Sequence, residues 1–190
     1  VKRRARGEPL QYILGKWEFM GLPFYTRPCA LIPRQDTETL CEEALAIGGK
    51  TLLDLCCGTG CIGVSLAKLG GFEVTFADIS PDCLALAREN AALNGIDRSR
   101  YTVRWGDVLS DQQLKAEIGG GYDMVVANIV ADVIIALAPQ VRPLLKKGGL
   151  FLCSGIIDDR AVEVADALRL AGWAIMEARE SEGWFSYLCK

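Results

Sequence analysis

Histidine is absent from all 190 residues. Its absence excludes Ser-His-Asp and Cys-His catalysis within the chain, because both need an imidazole base. No C-x-x-C pair occurs either, so the eight cysteines do not assemble a zinc-binding set, and no metal is expected. No apolar run approaches the roughly 20 residues of a membrane helix. No signal-peptide pattern opens the sequence, and a cytoplasmic location with reduced thiols is expected. An excess of one charge is also lacking: 21 basic against 24 acidic residues give a formal net charge of −3. Nothing in that balance pulls toward nucleic acid or an anionic membrane, so direct contact with either is not expected. Lys2, Arg3, Arg4 and Arg6 are a local exception and read as a solvated helix end. Internal repeats and low-complexity segments are absent.

What is present is an apolar fraction of 51%, enough for a substantial core in one domain with a short appendage. Cys56, Cys57, Cys61 and Cys153 sit in apolar runs and read as small buried hydrophobes.

From residue 50 onward strands and helices alternate. Thr51 to Cys56 is a short apolar run, and Thr59 to Leu69 has helical spacing that stops at Gly70 and Gly71. Glu73 to Ile79 is a second strand. Ser80 caps the next helix and Pro81 occupies its first turn, where a missing N–H costs nothing. Further strands are expected at Tyr101 to Trp105, Tyr122 to Ala127 and Gly148 to Ser154. The helical pattern of Asp132 to Leu145 contains Pro139 and Pro143, which predict a kink or two pieces. Asp158 to Ala171 is an amphipathic helix capped by Asp158. Trp173 to Arg179 and Trp184 to Cys189 have no helix between them and must pair antiparallel. The expected fold is α/β: a doubly wound, Rossmann-like, seven-stranded sheet of five parallel strands closing on an antiparallel hairpin.

The stretch D-L-C-C-G-T-G-C-I-G at 54–63 places a glycine turn between the first strand of this series and its helix. Glycines there let a ligand approach backbone N–H groups at a helix start. Asp78 ends the second strand, where an acid accepts from ribose hydroxyls, and this suits dinucleotides and S-adenosyl-L-methionine alike. Gly106 and Asp107 follow the third strand. Asp54 is expected to face the crevice; it would repel a pyrophosphate but suits a ligand carrying ammonium and sulfonium groups. Asp54 thereby favours S-adenosyl-L-methionine over a nicotinamide dinucleotide, and the terminal hairpin, which resembles that of the class I methyltransferases, implies the same. The expected cofactor-binding residues are Asp54, Cys56, Gly58, Thr59, Gly60, Asp78, Ile79, Gly106, Asp107 and Asn128.

The order of elements over 50–190 and the D-x-x-x-G-x-G spacing resemble the class I methyltransferases. Two narrower resemblances meet in the chain. R-G-E-P-L-Q-Y-I-L-G at 6–15, W-E-F-M-G-L-P-F at 17–24 and L-I-P-R-Q-D-T-E at 31–38 resemble the release-factor glutamine methyltransferases. In those a hairpin and linker lie beside the cofactor after a helical recognition domain. The resemblance implies a hairpin and linker over 1–48 and a cofactor-binding domain over 49–190. That family carries N-P-P-Y after its fourth strand, whereas this chain has N-I-V-A at 128–131. V-V-A-N-I-V-A-D-V-I-I-A-L-A-P at 125–139, L-L-K-K-G-G at 144–149, S-G-I-I-D-D at 154–159 and E-G-W at 182–184 instead resemble the ribosomal protein L11 methyltransferases, which act on amines. A mosaic with a seam between about 85 and 121 is the reading.

These resemblances imply a protein N-methyltransferase whose partner is a translation component, either a release factor or a ribosomal protein. A cofactor-binding domain without turnover, a recombinant chimera, and a small-molecule or nucleic-acid amino methyltransferase are the alternatives. Methyl transfer is an in-line displacement, so alignment of the nucleophile is the main task. The Asn128 side chain and the carbonyls of Asn128 and Ile129 are the expected acceptors for N–H protons of the nucleophile. Phe19, Phe24 and Trp184 are candidates for the pocket wall, and Arg34 and Glu38 for tying the N-terminal segment over the cofactor.

Overall fold

The computed structural model describes residues 2–190. Two short helices, α1 (Lys2–Ala5) and α2 (Leu10–Leu14), precede an antiparallel pair, β1 (Lys16–Phe19) and β2 (Leu22–Tyr25). After α3 (Asp36–Ile47) come β3 (Thr51–Leu55), α4 (Cys61–Gly70), β4 (Glu73–Asp78), α5 (Pro81–Leu93) and β5 (Tyr101–Trp105). The chain continues through α6 (Gln112–Ile118), β6 (Tyr122–Asn128), α7 (Ala131–Val141), β7 (Leu145–Ile157), α8 (Asp158–Leu170), β8 (Ile175–Ser181) and β9 (Trp184–Cys189).

The main sheet has seven strands in the order β5-β4-β3-β6-β7-β9-β8. The first five run parallel, and β9 pairs antiparallel with both β7 and β8. Strand order reverses at β3, which pairs with β4 on one side and β6 on the other. Connections leave β3 and β6 in opposite directions there, and a crevice opens at the carboxyl ends of the strands. Among the described residues no helix is long and apolar enough to cross a membrane.

Side chains alternate across β3. Leu53 and Leu55 enter one core with Leu137 of α7 and Val164 of α8. Leu52 enters the other, with Leu66 of α4, Ala87 of α5 and the hairpin residues Phe19 and Phe24. The hairpin is fastened to α5 by amides. Asn90, fully buried, accepts from the Tyr25 N–H at 2.7 Å and donates to the carbonyls of Tyr25 at 3.2 Å and Thr59 at 2.9 Å. Asn94 donates to the Pro23 carbonyl at 2.9 Å.

The expected alternation and terminal hairpin are present, with local differences. Residues 1–48 contain the 12-residue helix α3, not only a hairpin and linker. Helix α6 was not expected. Pro139 lies inside α7 without ending it, and the helix gives way to a 3-10 turn at Arg142–Leu144, where Pro143 sits. Asp158 is the first residue of α8, not its cap; its carboxylate accepts from the Asp159 N–H at 2.8 Å.

Candidate functional site

A cleft of about 670 Å³ occupies the crevice. It falls within the ordinary range for small-molecule sites. Its walls come from several strand ends, from the segment between β2 and α3, and from the first turns of α3, α5 and α7.

The floor is the glycine turn. Gly58 has φ +54°, and a Cβ added there would meet only Ala30 Cβ at 3.8 Å, so the position stays open toward the cleft. The other two glycines serve packing. A Cβ on Gly60 would lie 2.8 Å from that of Ala87 on α5, and one on Gly63 would lie 2.4 Å from the Phe76 ring on β4. Thr59 is buried, and its Oγ1 accepts from the Cys61 N–H at 3.3 Å. Thr59 and Gly60, both expected at the ligand, build the turn and are not among the residues lining the cleft.

Cys56 lines the cleft, where a cofactor-binding residue was expected, and it differs only from the reading of it as a fully buried hydrophobe. It is partly buried and adopts φ +57°, a left-handed conformation rare outside glycine. Burial pushes its thiol up to about 12, with Asp78, Asp54 and Asp107 adding to the rise. Cys57, Cys61 and Cys153 are the buried hydrophobes anticipated.

Asp78 closes β4. Its Oδ2 accepts from the Gly58 N–H at 2.9 Å and its Oδ1 from the Ser80 N–H at 2.8 Å. One carboxylate thus joins the glycine turn to the cap of α5, with its outer face in the cleft. Asp107 is built alike. It accepts from the Ser110 hydroxyl at 2.7 Å and the Leu109 N–H at 2.9 Å, and these bonds hold its carboxyl below the usual range.

Asp54 is a correction. It does not line the cleft and is only 1% exposed. Strand parity explains this: Asp54 shares a face with Leu52, the side covered by α4, and its Oδ2 accepts from the Gly63 N–H at 3.0 Å. Burial raises its pKa from 3.8 to about 7; the Gly63 bond opposes that shift and nearby Asp78 reinforces it.

Asn128 ends β6 and forms the far wall. Its Nδ2 donates to Thr37 Oγ1 at 3.0 Å, which leaves Oδ1 free to accept. The Ile129 N–H is spent on the Ser154 carbonyl at 3.0 Å. Gly155, at φ +83°, permits this closeness: a Cβ there would stand 2.8 Å from Asn128 Oδ1 and 2.9 Å from Ile129 O. Arg34 stacks 4.1 Å over the Trp184 ring and pairs with Asp36 at 3.0 Å, so both expected residues border the cleft. Phe19 and Phe24 are core residues packed edge to face at 6.1 Å. Glu38 accepts from the Met20 N–H at 2.6 Å, which fixes the hairpin tip rather than the cleft.

Gly58, Asp78, Ile79, Gly106, Asp107 and Asn128 thus share one cavity, with Cys56 and Ile129 beside them. Residues 36–190 match the family described as ribosomal protein L11 methyltransferase (PrmA). The chain belongs to that family. An L11 methyltransferase from Agathobacter rectalis is 37% identical over 158 residues, covering 80% of this chain and 49% of the relative. A release factor glutamine methyltransferase from Geobacter sulfurreducens is 38% identical over 186 residues, covering 93% of this chain and 63% of the relative. The chain therefore spans about half to two-thirds of the curated relatives it matches. A crystal structure of ribosomal protein L11 methylase from Lactobacillus delbrueckii subsp. bulgaricus superposes with a TM-score of 0.74 and 26% identity, over 86% of this chain and 82% of that one.

The L11 methyltransferase match begins at residue 36, ahead of the expected seam, and the release-factor alignment runs over 93% of the chain. Both matches therefore extend beyond the halves whose motifs carry each resemblance. Thr37, Gly155 and the segment of Cys29, Ala30 and Leu31 also line or brace the cleft without having been singled out. The quoted L-I-P-R-Q-D-T-E and S-G-I-I-D-D stretches contain most of them, but only the fold gives their direction.

Proposed function

We propose that the cleft binds S-adenosyl-L-methionine and that the chain is the catalytic part of a protein N-methyltransferase acting on a translation component. The observation carrying this reading is the convergence of Gly58, Asp78, Asp107 and Asn128 on one cavity at the carboxyl ends of β3 to β6. The open face of Gly58 leaves room for a ligand against the backbone. Two acids on that rim, their inner lone pairs already fixed by backbone N–H groups, present outer lone pairs suited to ribose hydroxyls and to an adenine amino group. The donor set therefore fits an adenosine ligand.

When bound, S-adenosyl-L-methionine supplies an electrophilic methyl group. This chain's part is positioning. Thr37 fixes the Asn128 amide through its Nδ2, and the missing side chain of Gly155 leaves space beside both Asn128 Oδ1 and the Ile129 carbonyl. Two acceptors at one strand end orient the N–H bonds of an incoming nitrogen and direct its lone pair along the line of attack. Asn128 has no titratable proton, so it positions the nitrogen and does not deprotonate it.

The test is calorimetry with S-adenosyl-L-homocysteine, followed by labelled-methyl transfer to purified ribosomal proteins and release factors. Micromolar binding with label on a protein acceptor is expected. No heat at millimolar ligand overturns the cofactor assignment, and label confined to RNA or small molecules overturns the protein acceptor.

A further inference from the structure

A pair of thiols stands at the mouth of the same cleft. Cys29 is exposed, Cys83 is buried in the first turn of α5, and both line the cavity. The Cys83 thiol donates to the Cys29 carbonyl at 3.1 Å, which brings the sulfur of one residue against the backbone of the other. These residues are 54 positions apart in the chain and are brought together at this rim. Ala30, next to Cys29, packs in one small cluster with Cys83 and Leu86.

The position couples the pair to the ribose side of the cleft. The Cys83 N–H donates to Ser80 Oγ at 3.3 Å, the Ser80 N–H donates to Asp78 Oδ1 at 2.8 Å, and Asp78 Oδ2 accepts from Gly58 at 2.9 Å. A covalent change at Cys83 therefore acts on the groups that shape the floor.

We infer that Cys29 and Cys83 form a reversible thiol modification site that gates the cofactor cleft, with glutathione disulfide or a similar low-molecular-weight disulfide as the oxidant. The inference rests on the reading of this cleft as the cofactor site. Cys29 has the solvent access a first-reacting thiol needs, and Cys83 stands where a resolving thiol is needed. The Cys29 thiolate attacks one sulfur of glutathione disulfide, forming a mixed disulfide and releasing one glutathione. The Cys83 sulfur, losing its proton, then attacks the Cys29 sulfur and releases the second. Two protein thiols lose two electrons and two protons in total, and glutathione disulfide becomes two glutathione thiols. The other cysteine in the cleft stays out of the reaction: Cys56 is partly buried, unlike exposed Cys29, and its thiol is pushed up to about 12 by burial.

The experiment treats the folded chain with glutathione disulfide, maps the linkage by peptide mass spectrometry, and titrates S-adenosyl-L-homocysteine before and after. A Cys29–Cys83 link, an affinity weakened by roughly tenfold or more, and recovery with dithiothreitol are expected. Cys83→Ser should stop at the mixed disulfide on Cys29, and Cys29→Ser should leave the folded chain unmodified. A linkage at other cysteines, or a Cys29–Cys83 link with unchanged affinity, overturns the gate. If the reduced chain itself binds no S-adenosyl-L-homocysteine, the cofactor reading fails, and the mapped linkage still decides whether the modification site exists.

Discussion

Asn128 and Thr37 are 91 residues apart in the chain and share a 3.0 Å hydrogen bond across the far wall of the cleft. The amide end of Asn128 is spent on that bond, so the orientation of its oxygen is set by α3 and not by its own strand. Asn128→Ala removes both the tie and the acceptor. Turnover should fall by roughly 10²-fold, while affinity for S-adenosyl-L-homocysteine changes little. Thr37→Val should produce a smaller loss in the same direction. Steady-state kinetics beside calorimetry check this, and equal losses in turnover and cofactor affinity would count against the assigned role.

Asp78 carries two backbone bonds and the rim of the cleft together. In Asp78→Asn one carboxylate oxygen becomes an NH2 that faces an N–H donor, so either Gly58 or Ser80 loses its partner. Charge-assisted bonds of this kind contribute about 1.5–3 kcal/mol each. The dissociation constant for S-adenosyl-L-homocysteine should rise by roughly 10- to 100-fold. A change below threefold would separate Asp78 from the ligand.

Asp54 gives a pH signature. Its pKa rises from 3.8 to about 7 on folding, mainly through burial. Between those values the folded chain keeps a proton that the unfolded chain releases. Stability from this group is therefore lost as pH rises from about 4 to about 7 and is level above that, with a slope of at most roughly 1.4 kcal/mol per pH unit. Asp54→Asn keeps an oxygen for the Gly63 N–H and should flatten the slope. Urea titrations of both proteins at several pH values between 5 and 8 measure the difference; parallel curves would refute it.

Asn90 serves three backbone groups from a fully buried position. Asn90→Ala leaves the Tyr25 N–H and the Tyr25 and Thr59 carbonyls without it, a loss of about 2–4 kcal/mol. Hydrogen exchange should show the hairpin of β1 and β2 opening first. A destabilisation spread evenly over the sheet would contradict that order.

Periodicity carried most of the fold. The strands from Thr51 onward are short apolar runs bounded by glycine or acid, and their alternation with helices is written in spacing alone. Helix α6 escaped because Leu114 and Ile118 are its only buried residues, one i, i+4 pair with no repeat. Helix α3 was masked by the likeness of its surroundings to a linker, although Leu40, Cys41 and Ala44 form an apolar stripe. The site divides the same way. Acids at strand ends mark the rim, so Asp78 and Asp107 could be placed from sequence. The direction of Asp54 depends on which face α4 covers, a tertiary fact, and the left-handed Cys56 breaks the rule that such positions take glycine.

The tether between Tyr25 and Asn90 spans 65 residues, and it dictates an order of events while the polypeptide is being made. When the hairpin of β1 and β2 emerges, the helix that will receive it has not yet been synthesised. Its large aromatic rings, Phe19 and Phe24, share a core with residues of α3, β3, α4 and α5, so that core stays incomplete until α5 follows. During that interval the segment is a candidate client for holding chaperones, and translation pauses placed before residue 90 would lengthen its exposure.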